Sequence, residues 1–243
     1  MAHRIIFAAL ICSVIFFGCI SDTQSWMQGS IKGEGEVVTQ EITLESLKGI
    51  NLGFSGDVVL SPGSTQKIVL EGQQNILNNI KREVKNGIWN INFEKNVKEA
   101  KDVTVHITLP GIEEVKLSGS GSIHSTGKFA SLNELNINVS GSGHITLEFD
   151  AQITDVELSG SGEIALSGSS KTLGIGISGS GDVTAGDLAT DDCEIHISGS
   201  GDASVQVNKD LKTHISGSGD ILYSGDPNVT TRISGSGDVS KLR

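Results

Sequence analysis

Aromatic residues are scarce: seven Phe, two Trp and one Tyr make up 4% of 243 residues. A core must therefore be narrow and built from Ile, Val and Leu. The aromatic sugar platforms common in polysaccharide-cleaving β-helices have little to be made from. Basic residues are also few, and beyond residue 19 the arginines are Arg82, Arg232 and Arg243. Without the first 19 residues, 17 basic face 29 acidic side chains, a balance that disfavours nucleic acid and anionic lipid surfaces. Cysteine is nearly absent past Cys12 and Cys19, leaving Cys193, and one thiol forms no internal disulfide. Cys193 shares the inward phase of Ile195, so a buried apolar thiol is favoured over a nucleophile. No serine triad, phosphate loop or metalloprotease helix is visible, and no cofactor is expected. The glycine-rich runs lack the strand-to-helix setting of a dinucleotide site. Long loop insertions, from which catalytic solenoids build a groove, are nearly absent. The expectation is a protein that is not an enzyme.

What is abundant is Ser-Gly-Ser-Gly. Seven copies begin at Ser118, Ser140, Ser159, Ser178, Ser198, Ser216 and Ser234, at intervals of 22, 19, 19, 20, 18 and 18 residues. A period near 20 marks one structural unit used repeatedly. Before each copy lies an alternating apolar pair such as Ile137 and Val139, or Ile175 and Ile177. After it comes another apolar position: Ile123, Ile145, Ile164, Val183, Ala203, Ile221 and Val239. Alternation of β-branched residues signals strands with one buried face. Gly127, Gly168, Gly186 and Gly225, with Asp150 and Asn208, recur about nine residues after each start and mark a second corner. Thirty-one glycines against three prolines would suggest low complexity, but their locking to the hydrophobic phase argues against disorder.

Two all-β architectures fit: a parallel β-solenoid with one coil per 18–22 residues, or a sandwich of antiparallel hairpins. Near-identical residues at identical phase favour the solenoid, because each strand then lies on its own copy about 5 Å away. Simple alternation points Ile177, Gly179, Gly181 and Val183 inward, and Ser178 and Ser180 outward. The glycines let the wall bend close to the core, and the serine hydroxyls are expected to form ladders. Segments 34–117 read as degenerate coils and 118–243 as regular ones. Gly53-Phe54-Ser55-Gly56-Asp57-Val58 is a blurred copy of the repeat, and the 65 residues from Gly53 to Ser118 divide into about three coils. Asn86-Gly87 reads as a hairpin turn, and Asn75 to Arg82 as one or two helical turns.

The residue after each repeat forms a column: Ser122, His144, Glu163, Asp182, Asp202, Asp220 and Asp238. Stacked carboxylates repel, so they are solvated, capped by amides or bridged by a cation. Each aspartate capping its own glycine turn is the favoured reading. Calcium on Asp182, Asp202, Asp220 and Asp238 is the alternative, since oxygen ligands suit it. A second outward column holds His196, His214 and Arg232. Stacked imidazoles could hold zinc, but no third ligand has the right phase, so a solvated face is expected.

Residues 1–19 read as a signal peptide: Arg4 precedes an apolar run of 14 residues, Ile5 to Gly18, short for a membrane-spanning helix. Its end resembles a lipobox, in which a cysteine after a small residue becomes lipidated. Gly18 and Cys19 match, whereas Phe16 and Phe17 depart from the aliphatic-then-small preference. An uncleaved N-terminal anchor is the alternative, and either way the chain is exported and tethered to the membrane. Residues 20–33 read as the tether. At the other end, few residues follow the last repeat, so self-association through an uncapped C-terminal end is expected.

Lys67 to Glu71, Asn75-Ile76-Leu77, Glu83 to Ile88, Val105 to Pro110 and Leu117 into Ser118-Gly119-Ser120-Gly121 follow one another in a characteristic order. From Gly35 to Arg243 the chain resembles the head GIN domain family of auto-transporter adhesins. The resemblance implies a right-handed parallel β-helix on an exported, often lipid-anchored protein, and carries no catalytic residues over. The expected role is a surface adhesin or interaction module binding envelope or host polymers. A self-assembling envelope protein is the alternative, and a polysaccharide-active enzyme ranks behind both.

Overall fold

A computed structural model describes residues 29–242. Short strands fill its first half: β1 (Ile31–Lys32), β2 (Val37–Ile42), β3 (Gly49–Leu52), β4 (Asp57–Pro62) and β5 (Lys67–Gln73). One helical turn, α1 (Gln74–Leu77), leads to β6 (Val84–Lys85), β7 (Ile88–Ile91), β8 (Val97–Glu99), β9 (Thr104–Leu109), β10 (Glu114–Leu117) and β11 (Ser122–Ser125). Long bent strands follow: β12 (Phe129–Val139), β13 (His144–Leu158), β14 (Glu163–Ile177), β15 (Asp182–Ile197) and β16 (Ala203–Ile215). The last coil is split into β17 (Ile221–Ser224), β18 (Asn228–Ile233) and β19 (Val239–Lys241). The chain is a β-solenoid of about seven turns.

Pairing is parallel and in register from copy to copy, which decides for the solenoid over antiparallel hairpins. Val139, Leu158, Ile177, Ile197, Ile215 and Ile233 lie on one another through β12 to β16 and β18. Ile123, Ile145, Ile164, Val183, Ala203 and Ile221 form the facing column. Both columns are buried as far as Ile215 and Ile221. Burying each Leu, Ile or Val side chain contributes roughly 1.5–3 kcal/mol before entropy is counted. The two-residue alternation and the coil-length period thus act on the same residues.

The Ser-Gly-Ser-Gly corner continues the ladder instead of interrupting it. Ser178 N–H donates to the Leu158 carbonyl at 2.9 Å and Ser180 N–H to the Gly160 carbonyl at 3.1 Å, and the same pattern recurs coil after coil. Ser178 and Ser180 are exposed, and Gly181 is buried. Glycine is required here by close approach: a Cβ on Gly179 would run into the backbone carbonyl of Gly160, and one on Gly199 into that of Gly179. The expected hydroxyl ladder does not form among the described residues. Ser118 Oγ donates to Asn51 Oδ1 in the neighbouring coil at 2.9 Å, but among the described residues no serine of one repeat bonds the serine of the next, and backbone amides hold the corner. At the second corner Gly168 (φ 110°) and Gly225 (φ 94°) do use left-handed angles. β13 to β16 bend through that corner without a break, whereas the chain leaves the strand there between β11 and β12 and between β17 and β18.

The N-terminal half departs from the expected run of three coils between Gly53 and Ser118. Leu52 pairs with Leu117 and Asp57 with Ser122, so those two coils are immediate neighbours. The chain first builds β3–β4, then places β7 and β9 on its outer side, and returns to lay β10–β11 on its inner side. Two antiparallel strands, β5 on β9 and β2 on β5, close that end. The Asn86-Gly87 turn (φ 53° and 80°) joins β6 to β7 as an antiparallel hairpin. Pairing begins at Ile31, within the segment read as a tether, where β1 lies parallel to β8.

Candidate interaction surface

The repeat corner sets out the acidic column. Glu163 and Asp182 still donate their backbone N–H to a glycine carbonyl one coil earlier, Gly143 and Gly162, at 3.1 and 3.2 Å. From the next coil onward a carboxylate takes over as acceptor. Asp202 N–H donates to Asp182 Oδ1 at 2.9 Å, Asp220 N–H to Asp202 Oδ1 at 2.7 Å, and Asp238 N–H to Asp220 Oδ1 at 2.8 Å. The link is reciprocal, since Val183 N–H donates to the Asp202 carbonyl at 2.9 Å and Ala203 N–H to that of Asp220 at 3.0 Å. The aspartates therefore cap amides, but those of the following coil and not of their own glycine turn. Charge-assisted bonds of this kind stabilise the anion, which lets like charges stack. Among the described residues no group of three or more His, Cys, Asp or Glu converges as metal ligands.

The second outward column runs Asn138, Glu157, Gly176, His196, His214 and Arg232. The imidazoles of His196 and His214 are 5.9 Å apart between ring centroids and tilted by 47°. His196 Nε2 lies 3.0 Å from Glu194 Oε1. Gly174 and Gly176 carry no side chain, and the carboxylates of Asp155 and Glu157 lean over them. This face is solvated, as the sequence suggested. Cys193 points inward, and burial, reinforced by the Glu194 charge, pushes its thiol pKa up to about 12. A thiol so protonated is no nucleophile at neutral pH.

Charge divides along the axis. Residues 118–242 carry 16 acidic and 6 basic side chains, whereas 29–117 carry 12 and 10. The more basic end is also where the repeat is interrupted. Between Leu52 and Asp57 the corner takes four residues, but between their partners Ile91 and Thr104 it takes twelve. That insertion swings outward and opens a cavity of about 530 Å³ lined by Phe54, Phe93, Asn92, Asn96 and Asp102 among others. Phe54 occupies the place that Gly119 holds in the next coil. Its ring stacks on Phe93 with centroids 4.3 Å apart and planes at 29°. Sequence reasoning passed over this site; the available signal was a phenylalanine standing where the repeat has glycine. Cys19 lies outside the described residues.

Several solved structures share this fold. A protein from Bacteroides fragilis described as a "putative adhesin" is 21% identical with a TM-score of 0.80, over 88% of this chain and all of that one. A protein from Parabacteroides distasonis described as lipid binding is 23% identical with a TM-score of 0.73 at the same coverage. A protein from Parabacteroides merdae, also described as a "putative adhesin", is 20% identical with a TM-score of 0.67, covering 88% and 99% of the two chains. No curated protein matches the sequence. The family described as "Putative auto-transporter adhesin, head GIN domain" matches residues 46–227, and the chain belongs to that family.

Proposed function

We propose that the protein is an exported surface module that binds an extended polymer and carries out no chemistry. The observation that supports this most is the regular array of outward columns, repeated in register through β12 to β16. Such an array offers a long strip of evenly spaced contacts, whereas catalysis needs groups converging on one point. The family's description as adhesins agrees, and the inert Cys193 thiol removes one nucleophile. Lipidation at Cys19, with residues 20–30 as the spacer, would hold the solenoid at the membrane. The lipid-binding description of one structural relative fits less well, because close-packed Ile, Leu and Val columns fill the interior of the coils. The test is a screen of the full-length protein against cell-wall and host glycans, with and without calcium. Saturable polymer binding supports the reading; turnover of any polymer without retention overturns it.

A second reading, self-assembly, rests on the last coil. All six residues of β18 are exposed, and Val229 (40%), Ile233 (44%) and Leu222 (43%) are large apolar side chains left open there. An exposed strand edge is a template for pairing. Light scattering at rising concentration tests it, and a protein that stays monomeric throughout overturns it.

A further inference from the structure

We infer that the Phe54–Phe93 cavity is a pyranose-binding subsite that prefers an acidic sugar. The inference rests on the polymer-binding reading and names the class of ligand. Elsewhere in the stack the corner is sealed by glycine on glycine, and a side chain at Gly119 or Gly141 would strike the backbone of the neighbouring coil. At this end the outward swing of residues 92–103 removes that neighbour and makes room for two half-buried phenyl rings. Such rings give the C–H face of a sugar an apolar platform. Polar groups surround them: the amides of Asn92 and Asn96, the Asp102 carboxylate and the Lys98 ammonium all border the cavity. Amides elsewhere in this half, those of Asn51, Asn75 and Asn79, are engaged in hydrogen bonds within the protein. Those of Asn92 and Asn96 have no such side-chain partner among the described residues.

A concave site with an aromatic wall and a few polar groups at its rim suits a small polar ring better than an acyl chain, which needs an apolar tunnel. Lys98 lacks an ion-pair partner among the described residues, whereas Lys32 and Lys101 are engaged by Glu99 and Glu36 at 2.9 Å each. Asp102 likewise has no ion-pair partner among the described residues, so the preference for a carboxylate on the ligand rests on Lys98 alone.

The experiment is calorimetric titration of the full-length protein, in a sugar-free detergent, with a uronic-acid trisaccharide and with an uncharged trisaccharide of equal length. Saturable binding favouring the uronate, weakening with salt, is expected. Phe54→Gly restores the residue the repeat carries at this place, and combined with Phe93→Ser it should weaken the uronate by at least about tenfold, or 1.4 kcal/mol. Lys98→Glu, at an exposed position, should abolish the preference for charge while leaving the melting temperature unchanged. Unchanged affinity in both variants overturns the subsite. So does binding of a fatty-acid probe that the sugar fails to displace. Retention of a long glycan that survives in the Phe54→Gly/Phe93→Ser variant leaves the adhesin reading standing and removes only this one. Failure to bind any glycan removes both.

Discussion

Asp202 donates its backbone N–H to Oδ1 of Asp182 at 2.9 Å, across 20 residues of sequence and a single step of the stack. The column is thus a chain of links in which each carboxylate holds the amide of the next aspartate.

Asp202→Ala should uncover the Asp220 amide, its partner at 2.7 Å. By analogy with the loss of a helix cap, the cost is about 0.5–2 kcal/mol. Hydrogen exchange read by NMR should show the Asp220 amide accelerated while the Ser200 amide, bonded to the Gly179 carbonyl at 3.0 Å, keeps its protection. Equal acceleration at both would mean that the whole corner had loosened.

Two glycines separate close approach from flexibility. Gly179→Ala places a methyl group against the Gly160 carbonyl, and a loss of at least about 2 kcal/mol is expected. At Gly186 the nearest atom to an added Cβ is Ser204 Oγ at 4.0 Å, and φ is not left-handed. Gly186→Ala should be neutral or stabilise by up to about 1 kcal/mol, because it restricts the unfolded chain. Thermal melts of the two variants side by side check this, and equal losses would remove the steric argument.

Asp150 titrates below the ordinary carboxylate range, held down by the Lys128 ammonium at 2.8 Å and by the Ser169 hydroxyl at 2.6 Å. A depressed folded value means that its stabilising effect is complete above the unfolded pKa of about 3.9 and fades as pH falls through the folded value. Lys128→Met should bring the Asp150 titration, followed by carbon-detected NMR, back toward the ordinary value. No movement would assign the shift to Ser169.

Cys193 should resist thiol reagents in the native protein at pH 8 and react on unfolding. Its folded pKa of about 12 lies above the reference value of 9.0. The sign follows: stability is intact below about pH 9 and declines as the solution becomes more alkaline, because the unfolded chain ionises first. Rapid labelling of folded protein at pH 8 would contradict the burial of the thiol.

The edge at β18 yields a further expectation. Ile233→Lys places a charge on an edge position already 44% exposed, so any self-association should drop without loss of the monomer's fold. Sedimentation velocity reads it directly.

The repeating half of this fold is legible in the sequence because two independent periods coincide there. Val139, Leu158, Ile177 and Ile197 satisfy the two-residue alternation and the coil-length spacing together, so each also identifies its neighbour. The aspartate column is visible for the same reason. Which amide each carboxylate meets is not, since local capping and capping of the next coil place the same residue at the same position. The N-terminal half resists because Leu52 and Leu117 pair across 65 residues, and no spacing says which of several degenerate coils is adjacent. Phe54 and Phe93 escape for a related reason. Their stacking follows from the outward path of the 92–103 insertion, which side-chain pattern does not encode.

The interleaved order of the first coils gives the solenoid a direction of growth. Because β3–β4 is flanked on one side by β7 and β9 and on the other by β10–β11, the N-terminal end is tied off as soon as residues up to 125 have paired. New turns cannot be inserted there without breaking long-range pairings, whereas at the other side each turn pairs only with the turns next to it in sequence. Tandem duplication can therefore lengthen or shorten the rod at its strongly acidic end while leaving the less acidic, cavity-bearing end untouched. On the polymer-binding reading, reach and recognition are then properties that evolution can adjust separately.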